Sequence, residues 1–521
     1  MSEKLSRREL IKKTARIGAI AGGAALLGGG AYSLLSENSI DELYGTYPEG
    51  AAKMRLELKN PSAPKPNIVI MYCDDLGYGD IGCNGATAIR TPNIDSLARR
   101  GFRATDYYAC NAVCAPSRAG LLTGRYPFRT GVIGNTYPKG EPIGRVLARK
   151  LGGALIDLGV MDIREKYVAR GISDSEITLA EGLKSAGYRT GMIGKWHLGD
   201  YSKQPEFNPR KHGFDEYFGV PHSNDMIPCP LFRNEQMLEA DIGASEATQK
   251  NLTGLYTREA LKFIDESGRN PFFLYFAHTY PHQPLHASER FEKKSRAGLF
   301  GDAVEEIDWS VGEILALLRK KGLENNTLFI FTSDNGPWYE GSAGRFRGRK
   351  GQSYEGGFRV PFVAAWPAGI PAGSVSSAPI MNLDLYPTLL GLAGVGLPED
   401  RVVDGKDIRG VLTGASRVSP HEAIYFYHYD LLEGVRAGKW KYFDSINRYV
   451  WPIALDTAPV PDRLGKKQMG TRWPLLYDLE TDPGECYNVI NTHPEKAADL
   501  KARLNAWKKE TEKDPRGFGR G

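Results

Sequence analysis

Five continuous apolar runs of strand length, at 67–72, 188–193, 272–277, 328–332 and 362–366, constrain this chain most. A strand with one wet face alternates apolar and polar residues. A run that is apolar throughout is buried on both faces, as in a parallel sheet covered by helices. Helical periodicity lies between the runs: Val304, Ile307, Val311, Ile314, Leu315 and Leu318 recur at three- and four-residue spacing, and Gly322 supplies a stop. Strands alternating with helices predict an α/β fold, a large mainly parallel sheet flanked by helices, over residues 67–415. The 521 residues, 41% hydrophobic and 25% charged, suffice for a large core and more than one domain.

From about residue 416 the texture changes. Runs at 423–427, 434–443 and 475–479 read as short strands, with turn signals such as Asp482-Pro483-Gly484 between them. Ala498, Leu500, Leu504 and Trp507 mark a helical tail. Residues 416–521 are therefore expected to form a small antiparallel sheet with a terminal helix. Residues 36–66 read as a linker ending in a stiff, Pro-rich lead-in. Residues 135–175 read as an insertion between core elements.

The first 35 residues stand apart. They hold six Lys/Arg and two Glu, so they carry +4 of the formal +5 and leave +1 for the rest. That balance argues against nucleic acid as a partner. Ser6-Arg7-Arg8-Glu9-Leu10-Ile11-Lys12-Lys13 resembles a twin-arginine export signal, and the weakly apolar stretch 17–35 suits its hydrophobic region, with cleavage near Ala31. The resemblance implies a twin-arginine translocase as partner and a periplasmic or extracellular place in a bacterium. A retained membrane anchor is the alternative. Six cysteines in so long a chain do not make a disulfide scaffold, and without a Cys-x-x-Cys pair a thiolate zinc site is not supported.

Open α/β sheets place ligands beyond the carboxyl ends of their strands. The first run ends in Asp74-Asp75. The run near 190 ends in Gly194-Lys195-Trp196-His197, the one near 275 leads to Pro281-His282, and the one near 330 ends in Ser333-Asp334-Asn335-Gly336. Asp74, Asp75, Asp334 and Asn335 are hard oxygen donors, suited to Ca²⁺ or Mg²⁺ rather than zinc. The alternative for an Asp pair at a strand end is turn or capping chemistry. Arg118, Lys195, His197, His282 and Lys350, the last in the Gly-rich loop 349–357, form a cationic half able to hold an anion with several oxygens. Singly, each has the bland reading of a salt-bridge partner.

Cys114 opens Cys114-Ala115-Pro116-Ser117-Arg118-Ala119-Gly120-Leu121-Leu122-Thr123-Gly124-Arg125. Pro two residues on suits a first helical turn, which places Cys114 at a helix N-terminus, where anions are favoured. A buried structural Cys is the alternative. The run resembles the signature of type I, formylglycine-dependent sulfatases, and with the strand-end motifs and the tail 476–485 the chain is similar to the arylsulfatase A-like branch. The resemblance implies an alkaline-phosphatase-like sulfatase fold and a sulfuric ester hydrolase. It implies oxidation of Cys114 to Cα-formylglycine by a formylglycine-generating maturation enzyme, and one Ca²⁺ held by Asp74, Asp75, residue 114, Asp334 and Asn335. It further implies a formylglycine-diol nucleophile, a covalent sulfo-enzyme, and catalytic roles for Cys114, Arg118, Lys195, His197, His282 and Lys350. The substrate would be a glycan, glycolipid or aryl sulfate. A phosphomonoester or phosphonate hydrolase of the same superfamily and a non-catalytic sulfoglycan-binding protein remain as alternatives.

Overall fold

A computed structural model describes residues 56–138, 170–446, 459–461, 467–469 and 474–518, all within the unit Tyr47–Gly521. The export signal and most of the 135–175 insertion lie outside the described residues. In chain order the strands are β1 (Asn67–Cys73), β2 (Phe102–Ala104), β3 (Tyr107–Tyr108), β4 (Arg189–Lys195), β5 (Glu216–Val220), β6 (Leu231–Arg233), β7 (Gln236–Glu239), β8 (Phe272–Ala277), β9 (Thr327–Ser333), β10 (Phe362–Ala365), β11 (Ser374–Ser376) and β12 (Ile380–Met381). After them come β13 (Ile424–His428), β14 (Leu431–Ala437), β15 (Trp440–Phe443), β16 (Pro459–Pro461), β17 (Lys467–Met469) and β18 (Leu475–Asp478).

Ten of these make the central sheet, in the order β11-β2-β10-β9-β1-β8-β4-β5-β6-β7. Only β10 and β6 run against the rest. The central strands β1, β8, β9 and β10 are buried on both faces, as the unbroken apolar runs required. On β1, Ile68, Ile70 and Tyr72 join one hydrophobic cluster while Val69, Met71 and Cys73 join another across the sheet. The helix Gly298–Lys320 lays Val304, Ile307, Val311, Ile314, Leu315 and Leu318 on the second face. Each such side chain contributes about 1.5–3 kcal/mol by burial.

Three sequence expectations need correction. The run at 362–366 forms β10, but antiparallel to β9. The chain leaves β9 at the rim and stays there until β10 begins, so β10 can only run back. The stretch 434–443 is not one strand: the chain reverses at Ala437–Gly438–Lys439, with Gly438 at φ 57°, and β14 pairs with β15. The end of the supposed linker is docked, since Leu56 is buried and the backbone N–H groups of Lys59 and Asn60 donate to Gly394 O.

The small sheet, β13-β14-β15-β18, is antiparallel throughout. The helix Pro494–Lys513 covers it through Ala497, Leu500 and Leu504, packed on Val435, Tyr442 and Leu476. Ala498 is exposed, and its neighbour Ala497 takes the core position. Among the described residues no helix is long and apolar enough to cross a membrane.

Candidate active site

The parallel strands β9, β1, β8 and β4 lie side by side and end at one rim. Asp74 and Asp75 follow β1, Asp334 and Asn335 follow β9, Lys195 closes β4, and His282 lies in the loop after β8. The turn from β4 needs Gly194: at φ 107°, a Cβ there would lie 1.9 Å from Ala277 O. Asp75 and His197 both take positive φ, 63° and 58°, conformations costly for most residues and concentrated at functional sites.

Opposite the rim is the helix Cys114–Thr123, buried along its whole length. Cys114 is its first residue. The helix is fixed beneath by Asn382, whose Nδ2 donates to Ser117 Oγ at 3.0 Å, and by Tyr72 Oη at 3.1 Å from the same hydroxyl. Gly351 N donates to Ala112 O at 2.8 Å and ties the Lys350 loop to the helix entry.

Nine of the ten expected site residues are joined by direct contacts. Cys114 Sγ is 3.1 Å from Asp74 Oδ1 and 3.8 Å from Asp75 Oδ1. Arg118 donates from Nη2 to Asp334 Oδ2 at 2.8 Å and from Nη1 to Lys195 O at 2.9 Å. Lys195 Nζ pairs with Asp74, and Lys350 Nζ lies 2.7 Å from Asp75 Oδ1. Asn335 Nδ2 donates to Asp75 Oδ1 at 2.8 Å, and His282 Nε2 is 3.7 Å from Asp75 Oδ2. The tenth, His197, is held apart by Thr136, whose carbonyl oxygen lies 3.2 Å from Nε2. A carbonyl only accepts, so Nε2 carries the proton and Nδ1 has a free lone pair.

The electrostatics divide the site. Burial would raise Asp74, but Lys195, His282 and Arg118 hold its carboxyl well below the usual range. Burial and the neighbouring Asp74 push Asp334 up to about 7. Burial and Lys195 hold His197 well below its ordinary value, hence neutral. Burial, with Lys350 beside it, also lowers His282. Burial pulls Lys350 down, but Asp75 outweighs it and keeps the ammonium charged.

The residues fit a cation. One donor atom from each of Asp74, Asp75, Cys114 and His282 lies within 4.8 Å of the others. Asn335 Oδ1 is buried without a hydrogen-bond partner, an uncompensated acceptor that a cation would satisfy. Burial first, and then the neighbouring Asp74 and Asp75, oppose the charge of Asp334 against Arg118 and Lys195, a cost that a bound cation would offset.

The family comparisons agree with this geometry. The family model described as "Sulfatase" matches residues 66–395. The chain belongs to the sulfatase family. Models described as "N-sulphoglucosamine sulphohydrolase, C-terminal" and "C-terminal region of aryl-sulfatase" match residues 343–449 and 419–521. The chain is 37% identical over 483 residues to N-acetylgalactosamine-6-sulfatase of Mus musculus, covering 86% of each. It is 36% identical over 466 residues to arylsulfatase A of Homo sapiens, covering 82% of this chain and 84% of that one. The crystal structure of Ps i-CgsB in complex with k-i-k-neocarrahexaose superposes with a TM-score of 0.68 at 28% identity, covering 85% of this chain and 92% of that one. The protein is thus a sulfuric ester hydrolase, arylsulfatase A-like, with the sulfatase fold.

The sulfatase site also contains groups that the motifs did not single out. Ser223 Oγ lies 3.2 Å from His282 Nδ1. His222 is fully buried, with Nε2 3.5 Å from Asp200 Oδ1 and its ring edge-on to His197. The segment 222–225, which follows β5, belongs to none of the strand-end motifs. Thr136, at the edge of the insertion, carried no signal.

Proposed function

We propose that this sulfatase hydrolyses sulfate monoesters of a sugar with a formylglycine made from Cys114 and with one Ca²⁺. The observation that carries the reading is the position of Cys114: first residue of a buried helix, 3.1 Å from Asp74, inside a ring of three cations and three carboxylates. Asp74, Asp75, residue 114, Asp334 and Asn335 would hold the ion, which supplies fixed positive charge beside the attacking oxygen. Unmodified, the cluster of two Asp, one Cys and one His is a donor set zinc would accept. Replacing the sulfur by oxygen shifts the preference toward a hard cation.

In the first half-reaction a hydroxyl of the diol, formed by water adding to the aldehyde, would attack sulfur and pass its proton to Asp334 as the bond from sulfur to the alcohol oxygen breaks. Lys350, held charged, would protonate the departing oxygen, and His282 would stabilise it by hydrogen bonding. A covalent sulfo-enzyme results. His197 then takes the proton of the second hydroxyl on Nδ1, sulfate leaves and the aldehyde returns. Arg118 and Lys195 hold the sulfate charge. The sugar specificity rests on similarity to N-acetylgalactosamine-6-sulfatase and to the hexaose-bound structure. Residues 1–35 are read as the twin-arginine signal of an exported, periplasmic or extracellular enzyme. Its test is export of a variant with Arg7 and Arg8 both changed to Lys.

The deciding experiment is the mass of the peptide containing residue 114, from protein co-expressed with a maturation enzyme and assayed on nitrophenyl sulfate and nitrophenyl phosphate. Formylglycine with a strong preference for the sulfate is expected. An unmodified thiol in active enzyme, or preference for the phosphate, overturns the reading.

A further inference from the structure

The loop between Asn335 and Lys350 encloses a cavity of about 410 Å³ that none of the proposed catalytic steps uses. Tyr339, Phe346, Arg347, Arg349, Gln352 and Tyr354 line it, with small residues of the Gly-rich stretch 341–348 between them. No Asp or Glu is among the lining residues. Arg349 lies over the Tyr339 ring at 4.7 Å and donates Nη1 to Trp338 O at 3.0 Å. Arg347 lies over Tyr354 at 4.3 Å and donates Nη1 to Glu485 O at 2.7 Å. Each guanidinium is thus held over an aromatic ring and by a backbone hydrogen bond, which pre-organises Arg349 toward the cavity.

The placement of this cavity is specific. Lys350 N donates to Pro337 O at 3.0 Å, so the neck of the loop is closed by the lysine that serves the leaving oxygen. Glu340, at the other margin, accepts a hydrogen bond from Gln283, the residue after His282. The cavity loop is therefore held between the two residues assigned to the leaving alcohol. That alcohol carries the remainder of the substrate. Consecutive residues divide the work: Lys350 turns inward to Asp75, and Arg349 lies at the cavity.

We propose that this cavity is a subsite for a second anionic group, a sulfate or carboxylate on the sugar next to the one being desulfated. The proposal rests on the reading of the enzyme as a sulfated-sugar hydrolase. An Arg-lined, carboxylate-free cavity of this size suits a charged sugar better than a neutral or apolar aglycone.

The test compares two disaccharides with the same scissile sulfate, one with a second anionic group on the adjoining sugar and one without. Wild-type enzyme should prefer the dianionic substrate in kcat/KM. Arg349→Gln should reduce that preference by about tenfold, chiefly through KM, and Arg349→Glu should reduce it further. Arg349→Lys, which keeps the charge, should restore part of it. Normal hydrolysis of both substrates with a preference that is absent, or unchanged in all three variants, overturns the subsite alone. Failure of the wild-type enzyme to release sulfate from either disaccharide overturns the sugar-sulfatase reading and the subsite with it.

Discussion

Two buried clusters in this molecule have the same formal composition, three carboxylates and three cations, and opposite characters. One is the catalytic set: Asp74, Asp75 and Asp334 with Arg118, Lys195 and Lys350. The other joins the central sheet to the C-terminal sheet: Asp106, Glu355 and Glu485 with Arg359, Arg436 and Lys441. In the second, Lys441 Nζ lies 2.8 Å from Glu355 Oε1 and 3.1 Å from Glu485 Oε1. Arg359 Nη1 is 3.0 Å from Glu355 Oε2, and Arg359 and Arg436 both hold Asp106. This cluster is closed: its charges turn on one another. The catalytic cluster leaves Asn335 Oδ1 and His197 Nδ1 without protein partners, whereas Glu485 Oε1, which makes no hydrogen bond, still faces Lys441 Nζ at 3.1 Å. Charge that the fold satisfies by itself holds elements together. Charge that it leaves unsatisfied is arranged for a ligand.

The largest effect expected from this contrast is on activity. Cys114→Ala should lower sulfate-ester turnover by about 10⁵-fold or more, because it removes the nucleophile itself. Its unfolding free energy should change by no more than about 1 kcal/mol, since one sulfur is lost and no charge is left unpaired. Turnover of nitrophenyl sulfate and a denaturant melt check both halves. A strongly destabilised variant would erase the distinction between the clusters.

The mirror-image experiment is Glu355→Gln. Burial works against the charged form of Glu355, yet Lys441, Arg359 and Arg436 hold its carboxyl down to about 2. Removing that charge leaves buried cations under-compensated and should cost about 3–5 kcal/mol of stability. The activity of whatever remains folded should stay within about an order of magnitude of wild type, because the partners of Glu355, among them Tyr108, Arg359 and Lys441, lie outside the catalytic set.

Ligand response should also separate the two. Ca²⁺ at a hundredfold excess over Kd should stabilise chelator-treated, matured protein by about 3 kcal/mol, read as a rise in Tm. Asp334→Asn should abolish that rise, while it should persist in Glu355→Gln. A metal-free Asp334→Asn protein should melt no lower than metal-free wild type, because the substitution relieves repulsion with Asp74. A rise in Tm retained by Asp334→Asn would place the ion elsewhere.

The two clusters differ as much in how readable they are from sequence. The catalytic residues sit directly after apolar strands, in short motifs such as Asp74-Asp75 and Ser333-Asp334-Asn335, and parallel strands must end at one rim. A local pattern plus a topological rule therefore located six of the nine linked residues, while Cys114 and Arg118 lie in the run that resembles the sulfatase signature and Lys350 in the Gly-rich loop. The same runs could not reveal strand direction, since β10 is as apolar as its parallel neighbours. Nor could they reveal the closed cluster. Glu355 and Lys441 are 86 residues apart, and nothing in their local sequence links them. Glu355 stands inside the Gly-rich loop that drew attention for Lys350, and Glu485 at the end of the tail that is similar to sulfatases. Thr136 and Ser223 were missed for the same reason: a hydrogen bond to a catalytic histidine from a distant loop leaves no periodicity.

The smallest effect, and the one that tests how closed the second cluster is, comes from Glu485. Burial pushes its carboxyl up to about 7, from an ordinary value of 4.5, although Lys441 pulls the other way. Between those values the folded state holds a proton that the unfolded state has released. Stability should therefore fall as pH rises from about 4.5 to about 7. Glu355, held down to about 2, acts in the opposite sense: its contribution is present above 4.5 and is lost as pH falls toward 2. The cluster should be most stable near pH 4.5, where neither group opposes the fold. The Glu485 arm should be worth roughly 2 kcal/mol, because the two carboxylates share Lys441 and their titrations are linked. Glu485→Gln removes that arm, so its unfolding free energy should decline less than that of wild type between pH 5 and pH 8. The difference is measured as the change in denaturant midpoint across that range. If wild type and Glu485→Gln decline in parallel, Glu485 is ionised throughout, the cluster's three carboxylates and three cations balance without a buried proton, and the titration assigned to Glu485 is overturned.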